Sequence, residues 1–371
     1  MTRIRRLLGG ITLSLALDAG AADPDTYVAG KAPARRAPDR RYSVRSLTTH
    51  DADEQAENLK QWDQTYEQLS PGSFAGRLTD VWFGDIQLFR EVTNQSVHEG
   101  GRAWPGSRTF GVPMAMGADA IFCGRPLKPD MLLTLGPSDE LDFRTPRHLD
   151  IVGICVPTGV FEAYASSIDG RSAEARLAGH RILVPPQPAM HAIRRLCADI
   201  FQLVDRRPAL LGYDAVQRSI QHAVLAHLHA TIPESGQPAA ESVPTCESRR
   251  AIVERARRIV LERSGEHVSV ADLCGLIGVS RRTLQYCFES AFDVSPAQYL
   301  RAIRLNGARR DLKIAGESAN VQEIAARWGF WHLSHFAADY RRMFGELPSR
   351  TLRRRGALFD ETEGRGATHA D

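Results

Sequence analysis

Four residues with nucleic-acid chemistry, Arg281, Arg282, Gln285 and Tyr286, stand within the eight-residue stretch VSRRTLQY. An arginine can donate two parallel hydrogen bonds to guanine O6 and N7, and a glutamine can make a matching pair with adenine. Each good pair discriminates between bases by about 1–3 kcal/mol. The plainer alternative is that an arginine here holds a phosphate, which positions a helix without reading sequence. Tyr286 has two equal readings: contact with a phosphate or thymine methyl, or packing. A second set follows in HLSHFAADYRR, where Ser334 and His335 are candidate DNA contacts. His332 is a candidate cap or phosphate bridge. Arg341, Arg342 and the run Arg353–Arg355 add attraction for phosphates.

Both sets belong to one repeated unit. Leu284, Phe288, Phe292, Pro296 and Leu300 recur fifty-two residues later, by residue type, as Phe336, Tyr340, Phe344, Pro348 and Leu352. Self-similarity of this kind marks a supersecondary unit used twice. In the first copy Ser269 and Asp272 form the pattern of a capping box, Gly278 fits a tight turn, and Ser280 fits the cap of the next helix. In the second, Asn320 caps VQEIAARW, Glu323 takes the box position, and Gly329 makes the turn. Helix, short glycine turn, helix is the helix-turn-helix plan, whose second helix enters the major groove. A preceding helix places Ile252, Ala256, Ile259, Val260 and Arg263 on one side. Residues 248–355 hold 20 Lys+Arg against 11 Asp+Glu, whereas the rest of the chain holds 27 against 33. A basic third beside an acidic remainder suits a polyanion-binding module joined to something else.

The 371 residues suffice for two domains, with 43% apolar and 25% charged side chains. We expect an extension over 1–45, an effector-sensing domain over 46–232, a linker over 233–247, a DNA-binding domain over 248–357 and a disordered tail over 358–371. A helix is expected from Asp53 to Leu69. From Gly76 to Pro157, short apolar runs separated by Gly, Pro and Asp turns predict a β-sandwich or barrel. Helices follow to Ile232; those at 189–204 and 216–232 either dimerise or cover the sheet. The fold class is therefore α+β: an N-terminal β-rich, cupin-like sensor domain with helices, then an all-α domain with two helix-turn-helix motifs.

Trp82, Phe83, Phe89, Trp104, Phe110 and Phe122 are core residues or pocket lining. Asp85, Glu91, Glu99 and Asp119 are candidates for holding an alkylammonium ligand. His98 and His148 stand apart, without the close histidine pair that a metal centre needs, so no metal site is expected. A β-barrel enzyme with a helical tail is the reading from another class. Against it, the chain shows no nucleophile–base motif, no G-x-S-x-G and no phosphate loop. The six cysteines lack C-x-x-C spacing and are expected reduced, as suits a cytoplasmic protein. The N-terminus carries the layout of a secretory signal: basic MTRIRR, apolar LLGGITLSLAL and small AGA. The apolar run is too short to span a bilayer. Export would part a DNA-binding domain from its DNA, so this stretch is expected to be a disordered extension or the product of a start codon upstream of the natural one.

The stretches VSRRTLQYCFESAFDVSPAQYLRAIRLNGARRDL and VQEIAARWGFWHLSHFAADYRRMFGELPS resemble the AraC-type family of bacterial transcription regulators. From about Trp62 onward the chain is most similar to regulators of ethanolamine-utilisation operons, through WDQTYEQLSPGSFAGRLTDVWFGDIQLFRE, WPGSRTFGVP and RWGFWHLSHFAADY. This resemblance implies an activator that binds double-stranded DNA and works with RNA polymerase. It implies ethanolamine with adenosylcobalamin as effectors and no covalently bound cofactor. An AraC-type regulator of another catabolic operon, with a different effector, is the alternative. The sequence departs from the family at Tyr286 and Ala338, where arginine is common, and at Trp331 and His332, where polar capping residues are usual.

Overall fold

Alternating residues between Gly76 and Thr93 fold as a hairpin in the computed structural model, which describes residues 42–118, 120–232, 244–266, 268–316 and 319–354. Strand β1 (Tyr42–Thr49) pairs with β3 (Gly76–Phe83), and β3 turns into β4 (Ile86–Thr93) over Gly84 and Asp85. Gly84 has φ 57°, the positive value that a two-residue hairpin favours. The remaining strands are β2 (Asp63–Gln68), β5 (Val97–Arg102), β6 (Ser107–Met116), β7 (Ala120–Phe122), β8 (Arg125–Leu127), β9 (Leu132–Leu135), β10 (Leu141–Arg144), β11 (Leu149–Pro157) and β12 (Ile182–Leu183). They form a seven-stranded sheet, β1-β3-β4-β11-β6-β9-β12, and a five-stranded sheet, β2-β5-β10-β7-β8. The β-rich expectation holds.

The central strand β11 is buried on both faces from Ile151 to Val156, which is why IVGICV reads as a continuous apolar run. Val81, Leu88, Phe110, Val152 and Ile154 point outward to a helical layer. That layer contains α2 (Thr158–Asp169), α3 (Ala173–Leu177), α4 (Gln187–Arg206) and α5 (Asp214–His229). Ile193, Leu196, Ile200, Val224 and Leu228 complete this core, so α4 and α5 cover the sheet. The opposite face, with Leu78, Phe89 and Cys155, looks toward the five-stranded sheet.

The helix expected over 53–69 is instead two elements. Helix α1 (Ala52–Asn58) is capped by Asp51, whose carboxylate accepts from the N–H groups of Asp53 and Glu54. It stops at Leu59, and β2 pairs along its whole length with β5. Residues of β2 are polar even where buried, Glu67 and Gln68 each being 1% exposed. The period-two apolar signal that identifies a strand is therefore absent.

The C-terminal part is helical: α6 (Pro244–Glu262), α7 (Val270–Ile277), α8 (Arg281–Phe292), α9 (Pro296–Ile314), α10 (Val321–Arg327) and α11 (Leu333–Phe344). The Ser269–Asp272 capping box is formed, and Gly278 and Gly329 take positive φ of 79° and 75° at the two turns. Two separate cores result. Leu273, Leu284, Phe288, Phe292 and Tyr299 fill the first. Leu305, Leu312, Ile324, Phe336 and Tyr340 fill the second, and α9 contributes to both. Trp328 and Phe330 pack against the second core. Arg263, expected on the inner side of α6, lies in the turn after it and is exposed. Helix α6 begins at Pro244, inside the stretch expected as linker; residues 233–243, 1–41 and 355–371 lie outside the described residues. No helix among the described residues is long and apolar enough to cross a membrane.

Candidate nucleic-acid interface and ligand cavity

Ser280 caps α8 by accepting from the N–H of Thr283 at 3.0 Å, which fixes Arg281 and Arg282 as its first two residues. Leu284, Cys287 and Phe288 turn inward, so both arginines stand in solvent at the N-terminal end of α8. Gln285 is half-buried and its amide donates to Glu289. Tyr286 is 54% exposed with the Arg249 guanidinium 4.7 Å from its ring centre. In the second unit His332 stands at the cap of α11 without a side-chain capping bond. Its ring lies 5.6 Å from that of His335. Ser334, His335 and Arg341 are exposed, as are Arg353 and Arg354, while Arg355 lies outside the described residues. Seven of the eight proposed DNA-contact residues are thus in solvent, and Gln285 is held by Glu289. In the sequence Trp331 stands out only as a departure from the usual polar cap. The structure leaves it 66% exposed beside His332, a placement whose sequence signal was a large aromatic residue just outside a helix start.

A second site lies between the two sheets. Trp62, Tyr66, Phe89, Phe143, Leu133 and Ile151 wall a cavity of about 40 Å³ that also receives Glu91 and Glu99. About 10–15 Å³ of such space admits one water, so the cavity takes a ligand of a few non-hydrogen atoms. Tyr66 Oη donates to Glu91 at 3.0 Å, and Gln55 Nε2 donates to Glu91 at 2.9 Å. Glu99 Oε1 is buried and has no hydrogen-bond partner. Burial, and then the charge of Glu91, hold the Glu99 carboxyl well above its ordinary pKa; burial raises Glu91 as well. Two buried carboxyls with no buried cation between them suit a small cationic guest or a retained proton. Of the four acids expected to hold an alkylammonium ligand, Glu91 and Glu99 reach this cavity. Asp85 sits in the exposed β3–β4 turn, and Asp119 lies outside the described residues. Of the six aromatics singled out, only Phe89 lines it. Phe83 and Phe110 belong to the core under the helices, and Trp104 donates to Gln87 at 3.1 Å. Tyr66 and Phe143 lie on strands that are polar or short, and Trp62 lies just before β2, so none of the three carries a strand signal.

The two modules meet along a charged seam. Arg309 Nε donates to Asp51 at 2.6 Å, Lys313 Nζ to Asp51 at 2.7 Å, and Arg310 Nε to Asp53 at 2.8 Å. Arg310 also pairs with Glu67 at 2.8 Å, and Arg250 with Asp142 at 2.9 Å. Part of the basic surplus of residues 248–355 therefore faces the acidic β-rich part rather than a polyanion. Burial works to raise Asp51, but the charges of Arg309 and Lys313 prevail and bring its pKa down to about 2. For Asp53 burial prevails and the pKa rises to about 6. Arg310 is shared between Asp53 and Glu67, so Asp53 lacks a full countercharge.

Residues 273–354 match the family model described as "Helix-turn-helix domain". The matched module is thus of the DNA-binding helix-turn-helix class. The chain is 42% identical over 87 residues to the "Probable thc operon regulatory protein" of Rhodococcus erythropolis, covering 23% of this chain and 26% of that protein. It is 40% identical over 103 residues to the "XylDLEGF operon transcriptional activator" of Pseudomonas putida, covering 27% and 32%. These matches span only about a quarter to a third of the curated relatives. Among solved structures, a Chromobacterium violaceum transcriptional regulator with an AraC-type DNA-binding domain is 28% identical, covering 29% of this chain and 96% of that one, with TM-score 0.27.

Proposed function

We propose that the chain is a one-component transcription regulator of the AraC type, with α8 and α11 as its two reading helices and the β-rich part as its sensor. One observation carries this reading: two helix-turn-helix units share one connecting helix, and the second helix of each presents exposed polar residues near its N-terminal end. Arg281, Arg282, Gln285 and Tyr286 then contact one half-element of duplex DNA, and His332, Ser334, His335 and Arg341 the other. The helices differ, so the half-elements differ and stand in tandem about one helical turn apart. The named relatives regulate operons, which supports an operon promoter as the target.

For the effector we propose ethanolamine. The resemblance of the chain from Trp62 onward supports it, as does a cavity of fitting size with two carboxyls for an ammonium group. The cavity is far too small for adenosylcobalamin, whose role as co-effector rests on the resemblance alone. Activation of an ethanolamine-utilisation operon through RNA polymerase, in the cytoplasm, completes the proposal. Fluorescence anisotropy on duplex DNA from upstream of the adjacent operon tests it, at two salt concentrations, with and without ethanolamine and adenosylcobalamin. Specific binding that shifts with these ligands is expected. Specific binding indifferent to them removes the effector assignment, and no specific binding removes the regulator.

A further inference from the structure

The five-stranded sheet stands between the cavity and the helical module. Successive residues of a strand face opposite sides of a sheet, and here the two sides have different tenants. Tyr66 of β2 lies opposite Glu99 of β5, and Phe143 of β10 lies opposite Glu99 as well. These three line the cavity. One register step along, Glu67 lies opposite His98, and Arg144 lies opposite His98 from the other side. These three reach the helical module. Glu67 pairs with Arg310 at 2.8 Å, with Arg257 at 3.5 Å from it. His98 Nδ1 lies 3.1 Å from the hydroxyl of Tyr299, and its ring packs 4.6 Å from that of Phe292. Arg144 pairs with Asp293 at 3.3 Å.

These contacts fall at chosen places on the module. Phe292 and Asp293 close the C-terminal end of α8. At the other unit, Gln68 Nε2 donates to the carbonyl of Met343 at 2.8 Å, and Gly72 N–H donates to the same carbonyl at 3.0 Å, near the C-terminal end of α11. The β-rich part thus grips both reading helices by the ends away from DNA, and grips the connecting helix between them. The two helix-turn-helix cores are separate and are joined by α9, which contributes to both, so the setting of one reading helix against the other depends on how each packs on α9.

We propose that β2, β5 and β10 relay occupancy of the cavity to the reading helix α8 and the connecting helix α9, through Tyr66 to Glu67, Glu99 to His98 and Phe143 to Arg144. Neighbouring residues of a hydrogen-bonded strand move together. Close-packed contacts reset between discrete arrangements rather than deforming smoothly. A guest that pulls Glu99 and Tyr66 toward itself resets Glu67 and His98 against Arg310 and Tyr299, and so changes the spacing of the reading helices. The use of this relay rests on the regulator reading, but its existence is a property of the full chain alone.

Hydrogen exchange on the full chain, without DNA or ligand, tests it. Glu99→Gln and Tyr66→Phe alter only cavity-facing groups. Each is expected to change exchange severalfold in peptides covering 288–293 and 296–312 as well as in the sheets. Tyr66→Phe removes one hydroxyl and carries the test if Glu99→Gln fails to fold. Changes confined to the two sheets in both variants would overturn the relay while leaving the regulator reading to its own DNA-binding assay.

Discussion

Asp51 and Asp53 stand two residues apart at the start of α1, both against basic residues of α9, yet neutralising them should have opposite consequences. Asp51 has its folded pKa lowered from 3.8 to about 2. A lowered carboxyl contributes stability that is fully present above the unfolded value and is lost as pH falls through the folded one, here between 3.8 and about 2. At about 1.4 kcal/mol per pKa unit, the shift corresponds to roughly 2 kcal/mol at pH 7. Asp51→Asn keeps a good helix cap, since Asn and Asp rank together there, so the substitution isolates the charge. It leaves Arg309 with Glu346 at 3.0 Å and Lys313 with Glu54 at 3.6 Å. Asp53 has its folded pKa raised to about 6. Its contribution is fully present below the unfolded value and is lost as pH rises through 6, so at pH 7 its buried charge is a burden. Asp53→Asn should leave stability unchanged or raise it. Urea denaturation of both variants at pH 7, followed by tryptophan fluorescence, measures the contrast. A loss for Asp53→Asn equal to that for Asp51→Asn would refute the assignment of countercharges along this seam.

Arg282→Ala should weaken specific DNA binding by about 1–3 kcal/mol, mainly at one half-element; an equal loss across all sequences in competition anisotropy would show that Arg282 touches only phosphate. Ethanolamine binding should release a proton, because the raised Glu99 carboxyl must ionise to meet an ammonium group. Calorimetry in buffers of different ionisation enthalpy reads this release, and affinity should increase as pH rises toward neutrality. In the ligand-free chain the same raised pKa gives stability that is present below the unfolded value and lost as pH rises through the folded one, and Glu99→Gln should flatten that dependence in thermal unfolding. Gly307→Ala should destabilise the second helix-turn-helix unit, since a Cβ there would run into the Trp328 ring. The overpacking penalty is about 1–3 kcal/mol, and a wild-type unfolding midpoint would show that Trp328 has room to move.

The helical third was legible because its signals are local. Ser269, Ser280 and Asn320 cap the neighbouring backbone. Gly278 and Gly329 take turns that favour glycine, and the apolar residues of each copy recur at helical spacing. The alternating hairpin over β3 and β4 is local in the same way. The cavity was legible only in part. Glu91 and Glu99 could be named as acids among strands, but nothing near them in sequence separated them from Asp85. That separation depends on which strand edge pairs with which, and on the face each residue takes once the sheets close. The polar strand β2 was read as helix because its buried face meets Arg257, Arg310 and Asn306, partners more than 180 residues away. The same distance hid the charged seam. Composition fixed the surplus of basic residues in the last third, but only tertiary packing divided it between a face open to DNA and a face closed against Asp51, Asp53, Glu67 and Asp142. Caps, turns and periodicity act within a few residues and are written in the chain. Cavity walls and countercharges are chosen by contacts between distant segments, and those exist only after folding.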